Sequence, residues 1–367
     1  MHLFLSNSIP LQLQFHRIPL PSHLVCSIPF LSLKTHAHAS PTGFNAKVSP
    51  LQSRCKVCGP SDRLLQCDGC LVVLYCGQEH QVADRPNHKK LCNRIKRCLR
   101  NLDTEEAKLR AVPADEELRQ PVFEVGGIEA ARPYMRARAH LVDTITLANT
   151  HEALSLELAE TMDMLRLCRS DYLGMHYQVP SLLMRLGRDQ EAYDFIKWWA
   201  EALEDSHFDW GNLKLPYLDT KNAVVIEPVD LFSNAALFET FDMMLLKVKV
   251  LLDLRALQRG DDDQVFTDVV RKRKGYLRGE GSPVLIASLE AQVGQIYKAV
   301  KLKNLHLWPA FLGNPKLHAS ADHDGYTRGH LDEAETALRY SYEAWTETPG
   351  AEDVVRGLAF QDPDFPW

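Results

Sequence analysis

The residues best suited to chemistry are six cysteines and two histidines that fall within residues 55–92. They form four pairs: two Cys-x2-Cys pairs, then a Cys and a His four residues apart, then a His and a Cys four residues apart. Thiolate sulfur and imidazole nitrogen are preferred zinc ligands, and a Cys-x2-Cys turn supplies two of them together. Such clustering favours metal binding over a disulfide scaffold, which would spread its cysteines across a domain. The candidate ligands are Cys55, Cys58, Cys67, Cys70, Cys76, His80, His88 and Cys92.

Eight ligands fill two tetrahedral sites and leave no open coordination position, which is typical of structural rather than catalytic zinc. Each site would hold three thiolates and one imidazole. A segment this short cannot bury enough apolar surface to fold alone, so zinc binding must supply on the order of 10 kcal/mol or more per site. Spacing alone does not decide whether consecutive or alternating pairs share an ion.

The strings Tyr75-Cys76, His80-Gln81 and His88-Lys89-x2-Cys92, together with the two Cys-x2-Cys pairs, resemble the MYND zinc finger. The resemblance implies a cross-brace, in which alternating pairs share an ion. The implied first zinc site is Cys55, Cys58, Cys76 and His80. The implied second zinc site is Cys67, Cys70, His88 and Cys92.

The resemblance also implies a partner, because MYND fingers generally dock short proline-containing peptides. In the family, a Gln after the sixth ligand and a Trp four residues later line the peptide groove. The Gln is present as Gln81, whereas Arg85 occupies the Trp position and removes an aromatic wall. The predicted partner-binding residues are Tyr75, Gln81 and Arg85.

The chain before the finger carries no Asp or Glu, since the first acid is Asp62. Its scattered prolines interrupt any amphipathic helix, so a mitochondrial signal is disfavoured. Residues 1–50 are expected to be a disordered or non-native extension. Reduced, clustered cysteines predict an intracellular protein of the nucleus or cytoplasm.

A charged helix and a linker are predicted over 93–131. Four cations of this helix follow Lys89 and Lys90, and they are interpreted as a solvated face, with a partner or nucleic-acid contact as the alternative. Acids within the finger and the net charge of −6 argue against nucleic acid. The four cations are Arg94, Lys96, Arg97 and Arg100.

Residues 132–360 are predicted to form an all-α, helical-repeat-like (TPR-like) domain, followed by a tail at 361–367. Apolar periodicity and a Ser-Pro start signal predict helices over 237–257 and 282–303. Leu186-Gly187 and Gly329, each followed by a small Ala, resemble turns of tetratricopeptide repeats. One short strand is considered at 223–226. Cys168, Trp198 and Trp199 are expected to be core residues.

The region 132–350 also resembles uncharacterised fungal MYND-domain proteins. Trp198-Trp199 and several longer strings carry this resemblance, which brings no assigned activity. The longer strings are 132–138, 163–169, 186–191 and 347–350.

The favoured function is a non-enzymatic zinc-binding adaptor for a protein or peptide partner; the sequence gives no oligomeric state. One alternative is a nuclear, transcription-associated regulator imported through the basic run Arg271–Lys274. Another is an unrecognised enzyme in the helical domain, which should show a buried, convergent polar cluster with shifted pKa values, whereas an adaptor should show a groove and no such cluster. Isolated histidines such as His176 are expected to be surface or satisfied core residues.

No SET methyltransferase signature, phosphate loop or hydrolase elbow occurs in the sequence. No apolar run reaches the roughly 18 residues that a membrane span requires.

Overall fold

A computed structural model describes residues 51–111, 131–212, 214–232, 235–261, 265–279, 282–314, 316 and 325–366. Within these ranges the chain is a small finger followed by a largely helical region, as predicted. The finger has one hairpin, in which β1 (Leu65–Gln66) pairs antiparallel with β2 (Leu74–Tyr75). The helices are α1 Gln78–Ala111, α2 Arg132–Thr146, α3 His151–Leu167, α4 Val179–Arg185, α5 Asp189–Glu204, α6 Leu237–Arg259, α7 Asp268–Arg271, α8 Lys274–Leu277, α9 Ser282–Lys303, α10 Leu307–Gly313, α11 Leu331–Thr346 and α12 Ala351–Phe360.

Helix α1 begins inside the finger and continues without a break past its last ligand. Its buried face carries Ile95, Cys98 and Leu102, spaced at threes and fours, and packs against α2. A single apolar cluster runs from Val72 and Val73 of the finger through this face into α2 and α3. The finger and the first helices therefore share one core. The predicted linker and the first 50 residues lie outside the described ranges.

The start of α3 makes a second connection to the finger. Thr150 caps α3, because its hydroxyl oxygen accepts from the backbone N–H of Ala153 at 3.1 Å. The same hydroxyl donates to the carbonyl oxygen of Val72 in the finger. Next to it, Ser53 donates to the carboxylate of Glu152. One helix cap thus stabilises both α3 and the position of the finger.

The larger core surrounds α6, whose side chains are buried on nearly every side. Phe241 stacks on Trp345 with ring centroids 5.0 Å apart, and Trp198 and Trp199 are buried on α5. The two long predicted helices occur as α6 and α9, which pack against each other. Despite this apolar character, none of the described helices combines the length and hydropathy needed to cross a bilayer.

Two turns follow the predicted glycine pattern. Gly187 has φ +71° between α4 and α5, and Gly329 has φ +78° before α11. These left-handed conformations favour glycine. The small residues that follow, Ala192 and Ala334, are fully buried, so each turn brings a helix close to its neighbours.

The short strand considered at 223–226 is wrong, because this segment is an irregular loop. Asp194 accepts hydrogen bonds from the backbone N–H groups of Asn222 and Ala223. The ammonium of Lys247, which is buried in α6, donates to the carbonyls of Val225 and Glu227. Side chains from α5 and α6 thus satisfy the backbone polar groups that a neighbouring strand would otherwise bind.

Candidate metal centre

The first group of ligands comes from three parts of the finger. Cys55 and Cys58 flank a tight turn that Gly59 closes at φ +86°, with reciprocal backbone hydrogen bonds between Cys55 and Gly59. Cys76 follows β2, and His80 lies in the first turn of α1. The Sγ atoms of Cys58 and Cys76 are 3.6 Å apart. Nδ1 of His80 lies 3.4 Å from Sγ of Cys55 and 2.9 Å from Sγ of Cys76.

The second group is wholly buried beneath the hairpin and α1. Sγ of Cys67 lies 3.8 Å from Sγ of Cys92 and 3.4 Å from Nε2 of His88. Nε2 of His88 is also 3.5 Å from Sγ of Cys70. Gly69 sits against this group, because a Cβ at that position would lie 2.8 Å from Sγ of Cys92. Glycine is therefore required for the chain to wrap this closely around the ligands.

Both groups have the dimensions of a tetrahedral zinc site. With sulfur about 2.3 Å and nitrogen about 2.0 Å from a central ion, S–S edges are about 3.8 Å and S–N edges about 3.5 Å. Most of the measured separations are close to these edges. Within each group all four ligand atoms lie within 4.8 Å of one another. The residues fit two zinc ions with three thiolates and one imidazole each.

The pairing is the cross-brace that the family resemblance implied. The first and third pairs converge on one point and the second and fourth converge on another. Consecutive pairing, which spacing alone allowed, would instead place Cys55 and Cys58 with Cys67 and Cys70. Successive ligand pairs alternate between the two sites along the chain. Loss of one ion therefore frees a segment that lies between two ligands of the other site.

The ligand thiols differ in their electrostatic environment, even within one site. Burial opposes ionisation of Cys55, but backbone N–H groups from Val57, Cys58 and Cys76 outweigh it and lower its pKa to about 6. Backbone N–H groups similarly lower the pKa of Cys67 against its burial. Burial raises the pKa of Cys70 to about 12. The backbone N–H groups of the turns therefore favour the thiolate that zinc binds at Cys55 and Cys67, whereas burial opposes it at Cys70.

Tyr75 lies in the interior of the finger and has only 1% of its surface exposed. Its hydroxyl donates to Oδ2 of Asp84 at 2.7 Å, and its ring contacts the edge of His88 with centroids 6.0 Å apart. Sequence analysis placed Tyr75 among the partner-binding residues, and this assignment is corrected because it has no surface to offer. Tyr75 instead holds α1 against the hairpin beside a metal ligand.

Gln81 is half-buried and Arg85 is exposed, one helical turn apart on α1. Val82 beside them has 64% of its surface exposed. Pro86 lies inside the helix and has no N–H, so the carbonyl of Val82 lacks its usual helical donor. An exposed apolar side chain thus accompanies the two predicted partner-binding positions.

Among the buried polar clusters of the described helical region, the one around His176 was not predicted from the sequence. His176 lies between two carboxylates, with Nδ1 2.6 Å from Asp171 and Nε2 3.1 Å from Glu239. Its ring stacks on Trp199 with centroids 4.1 Å apart. Burial lowers the pKa of His176, but the two carboxylates outweigh it and raise the pKa to about 9. His176 is thus a satisfied core histidine, as expected. Of its two carboxylate partners, Asp171 is close in sequence and Glu239 is distant.

This cluster meets the expectation for an enzyme, because its groups converge and the pKa of His176 is shifted, whereas an adaptor was expected to lack such a cluster. The cavity beside Glu239 has a volume of about 30 Å³. That volume has room for water but not for an organic substrate. A charged histidine between two carboxylates instead joins the segment before α4 to α6 as a buried ion triad.

Comparisons with known proteins concern the finger. The MYND finger family matches residues 55–92. The Rho GTPase-activating protein gacZ of Dictyostelium discoideum is 50% identical over 50 residues, which cover 13% of this chain and 5% of that protein. The likeness is therefore to one module of a far longer relative. No solved structure matches the chain. Together with the two four-ligand groups, the family match identifies residues 55–92 as a MYND zinc finger, a non-catalytic module of a class that mediates protein interactions.

Proposed function

We propose that this protein is an adaptor in which the zinc-stabilised finger docks a partner peptide and the helical region holds the finger rigidly and offers a second surface. The observation that carries the proposal is the closed coordination of both sites. All eight ligand positions are filled by side chains, so the metal has no place for a substrate. What remains available for function is the outer surface of the finger.

The docking position we propose is the first turns of α1, around Gln81, Val82 and Arg85. Peptide grooves need an apolar contact and polar groups that fix the backbone, and this position supplies both. A proline-containing peptide would rest against Val82 and accept hydrogen bonds from the Gln81 amide. Arg85 replaces the family's aromatic wall by a cation, which favours a peptide with an acidic residue beside its proline.

The test is a titration of the isotope-labelled full chain with a set of short proline-containing peptides, with and without an adjacent acid, followed by amide chemical shifts. Perturbations centred on Gln81 to Arg85, and weaker binding by Gln81→Ala, would support the proposal. The matched variant Gln52→Ala should bind as well as wild type. Shifts scattered over the helical region, or no shifts at millimolar peptide, would contradict it.

A second candidate is a nuclear, transcription-associated role. The run Arg271–Lys274 spans the junction of α7 and α8, and Arg271, Lys272 and Arg273 are exposed. Lys272 is engaged by Asp268 at 2.9 Å and Lys274 lies over the ring of Phe266. We propose a nucleus or cytoplasm location, which imaging of a tagged chain tests. Cytoplasmic retention when all four residues become Ala would favour import through this run.

We further propose that 132–350 resembles the helical regions of fungal MYND-domain proteins and shares their arrangement of finger and helical region. Enzyme activity in the helical region has its best candidate at His176 with Asp171 and Glu239. The small adjacent cavity favours the adaptor over this alternative.

A further inference from the structure

The solvent side of α1 between the finger and the middle of the helix carries an unusual set of residues. Every exposed position from Lys89 to Asn101 is Lys, Arg or Asn. The stretch holds six cations and no Asp or Glu, within a chain whose net charge is −6. We name the cations the basic face. They are Lys89, Lys90, Arg94, Lys96, Arg97 and Arg100.

The basic face is unpaired, in contrast to the rest of the same helix. Further along α1, Lys108 pairs with Glu105 at 2.7 Å and Arg110 pairs with Glu106. In the described part of the chain, no carboxylate pairs with any of the six cations. Six unpaired like charges within about 17 Å of helix repel one another, and a polyanion would relieve that repulsion.

Helix geometry arranges the basic face as two rows. At about 100° per residue, Lys89, Lys96 and Arg100 fall on one flank, and Lys90, Arg94 and Arg97 fall on the other. The exposed Asn93 lies between the two rows. The opposite side of the helix is buried against α2 through Ile95 and Cys98, so the two flanks are held out to solvent.

The composition of this surface selects the class of partner. Protein interfaces are depleted in Lys and need apolar or aromatic anchors, and no fully exposed position between Lys89 and Asn101 is apolar. A helix that inserts into the membrane interface needs an exposed apolar face, whereas the apolar face of α1 is inside the protein. Surfaces that bind nucleic acid are polar, strongly positive and use Asn for base edges.

We propose that the basic face of α1 docks in the major groove of duplex DNA. A helix with side chains is about 10–12 Å wide and the groove is about 12 Å wide, so the rows would face phosphates on both walls. The deep, narrow major groove of duplex RNA excludes a helix. Acids elsewhere in the chain are screened beyond about 8 Å at physiological salt. Acids within the finger and the net charge of −6 argued against nucleic acid, but the local arrangement of unpaired cations on α1 outweighs both.

The test measures fluorescence anisotropy of a labelled mixed-sequence duplex of about 20 base pairs, long enough for two turns of groove, titrated with the zinc-loaded full chain. We expect binding whose logarithm falls with the logarithm of salt concentration at a slope of about −4, for four or five phosphates contacted. The double variant Arg94→Gln/Arg97→Gln should weaken binding at least about tenfold and reduce the slope by about 2.

The matched control is Lys108→Gln/Arg110→Gln, which removes two charges from the same helix where they are already paired. It should keep the slope and bind within about twofold of wild type. Circular dichroism and two zinc ions per chain show that each variant is folded.

Four outcomes would overturn the proposal. They are equal losses in the two double variants, single-stranded DNA binding as tightly as the duplex, displacement of the duplex by polyglutamate at equal charge, and no binding at low salt. The third outcome would assign the basic face to an acidic protein. None of these outcomes depends on whether the finger binds a peptide.

Discussion

The finger encloses two metal sites and few apolar side chains, whereas the helical region packs Trp199, Trp308 and Trp345 around α6 with almost no exposure. The finger is too small for a core of its own, so its ligands must supply the folding free energy. The helical region obtains that free energy from apolar burial. The two regions nevertheless share an apolar core along α1, through which a structural defect in one can reach the other.

Loss of a zinc ligand should lower the stability of the molecule more than any other change. Cys92→Ser should release at least one of the two ions and remove on the order of 10 kcal/mol from the folding of the finger. Cys98→Ser is the matched control, since Cys98 is buried on the same helix but bonds only to Thr144. Elemental analysis should give two zinc ions for the control. Two ions in Cys92→Ser would contradict the assigned ligand set.

The core of the helical region should respond next, without loss of zinc. Phe241 is fully buried and stacks on Trp345, so Phe241→Ala should lower the free energy of unfolding by about 3–5 kcal/mol. Phe360→Ala makes the same change where the ring is 82% exposed, and it should cost less than about 0.5 kcal/mol. Urea denaturation measures both. Zinc release from folded Phe241→Ala would contradict the proposal that the finger and the helical region are stabilised by different interactions.

The ion triad gives the helical region a pH dependence of its own. The pKa of His176 is raised to about 9 in the fold, so its stabilisation is complete below the unfolded value of about 6.5 and is lost as pH rises toward 9. Between these limits the wild type should lose up to about 3 kcal/mol more stability than His176→Gln.

Other buried groups titrate in the same window, since burial raises the pKa of Asp242 to about 8 and lowers that of Lys247 to about 7. They are present in both proteins, so the difference between the two stability profiles isolates His176. Parallel profiles from pH 6 to 9 would show that the imidazole carries no charge in the fold.

The smallest effect concerns the contact between the two regions. Thr150→Val removes the cap of α3 and the hydrogen bond to Val72, and it should cost about 1–2 kcal/mol. Thr104→Val is the control, because its exposed hydroxyl bonds only within α1. Hydrogen exchange should show faster opening at Val72 and Val73 in Thr150→Val alone. Unchanged exchange at Val72 and Val73 would mean that α1 by itself fixes the position of the finger.

Sequence alone defined the parts of the fold that depend on residue type and period. The eight ligands could be chosen because zinc demands those side chains, and α6 and α9 because their apolar spacing is regular. Which pairs share an ion came from family resemblance, since spacing permits both arrangements. The hairpin was missed because two-residue strands leave no pattern.

Contacts between distant residues account for the other errors. The segment 223–226 was considered as a strand because its backbone hydrogen bonds to Asp194 and Lys247, which are distant in the chain, cannot be read from local sequence. His176 lies 63 residues from Glu239, so the triad had no motif. Tyr75 was predicted to bind a partner because its burial and its hydrogen bond to Asp84 depend on how α1 folds against the hairpin.

If zinc binding stabilises the finger and apolar burial stabilises the helical region, chelation should unfold only the finger, and hydrogen exchange on the intact chain before and after zinc chelation measures this. Amides of the hairpin and of the first turns of α1 should lose protection on chelation, whereas those of α6 and α9 should keep theirs. Retained protection in the hairpin, or equal loss in α6, would contradict it.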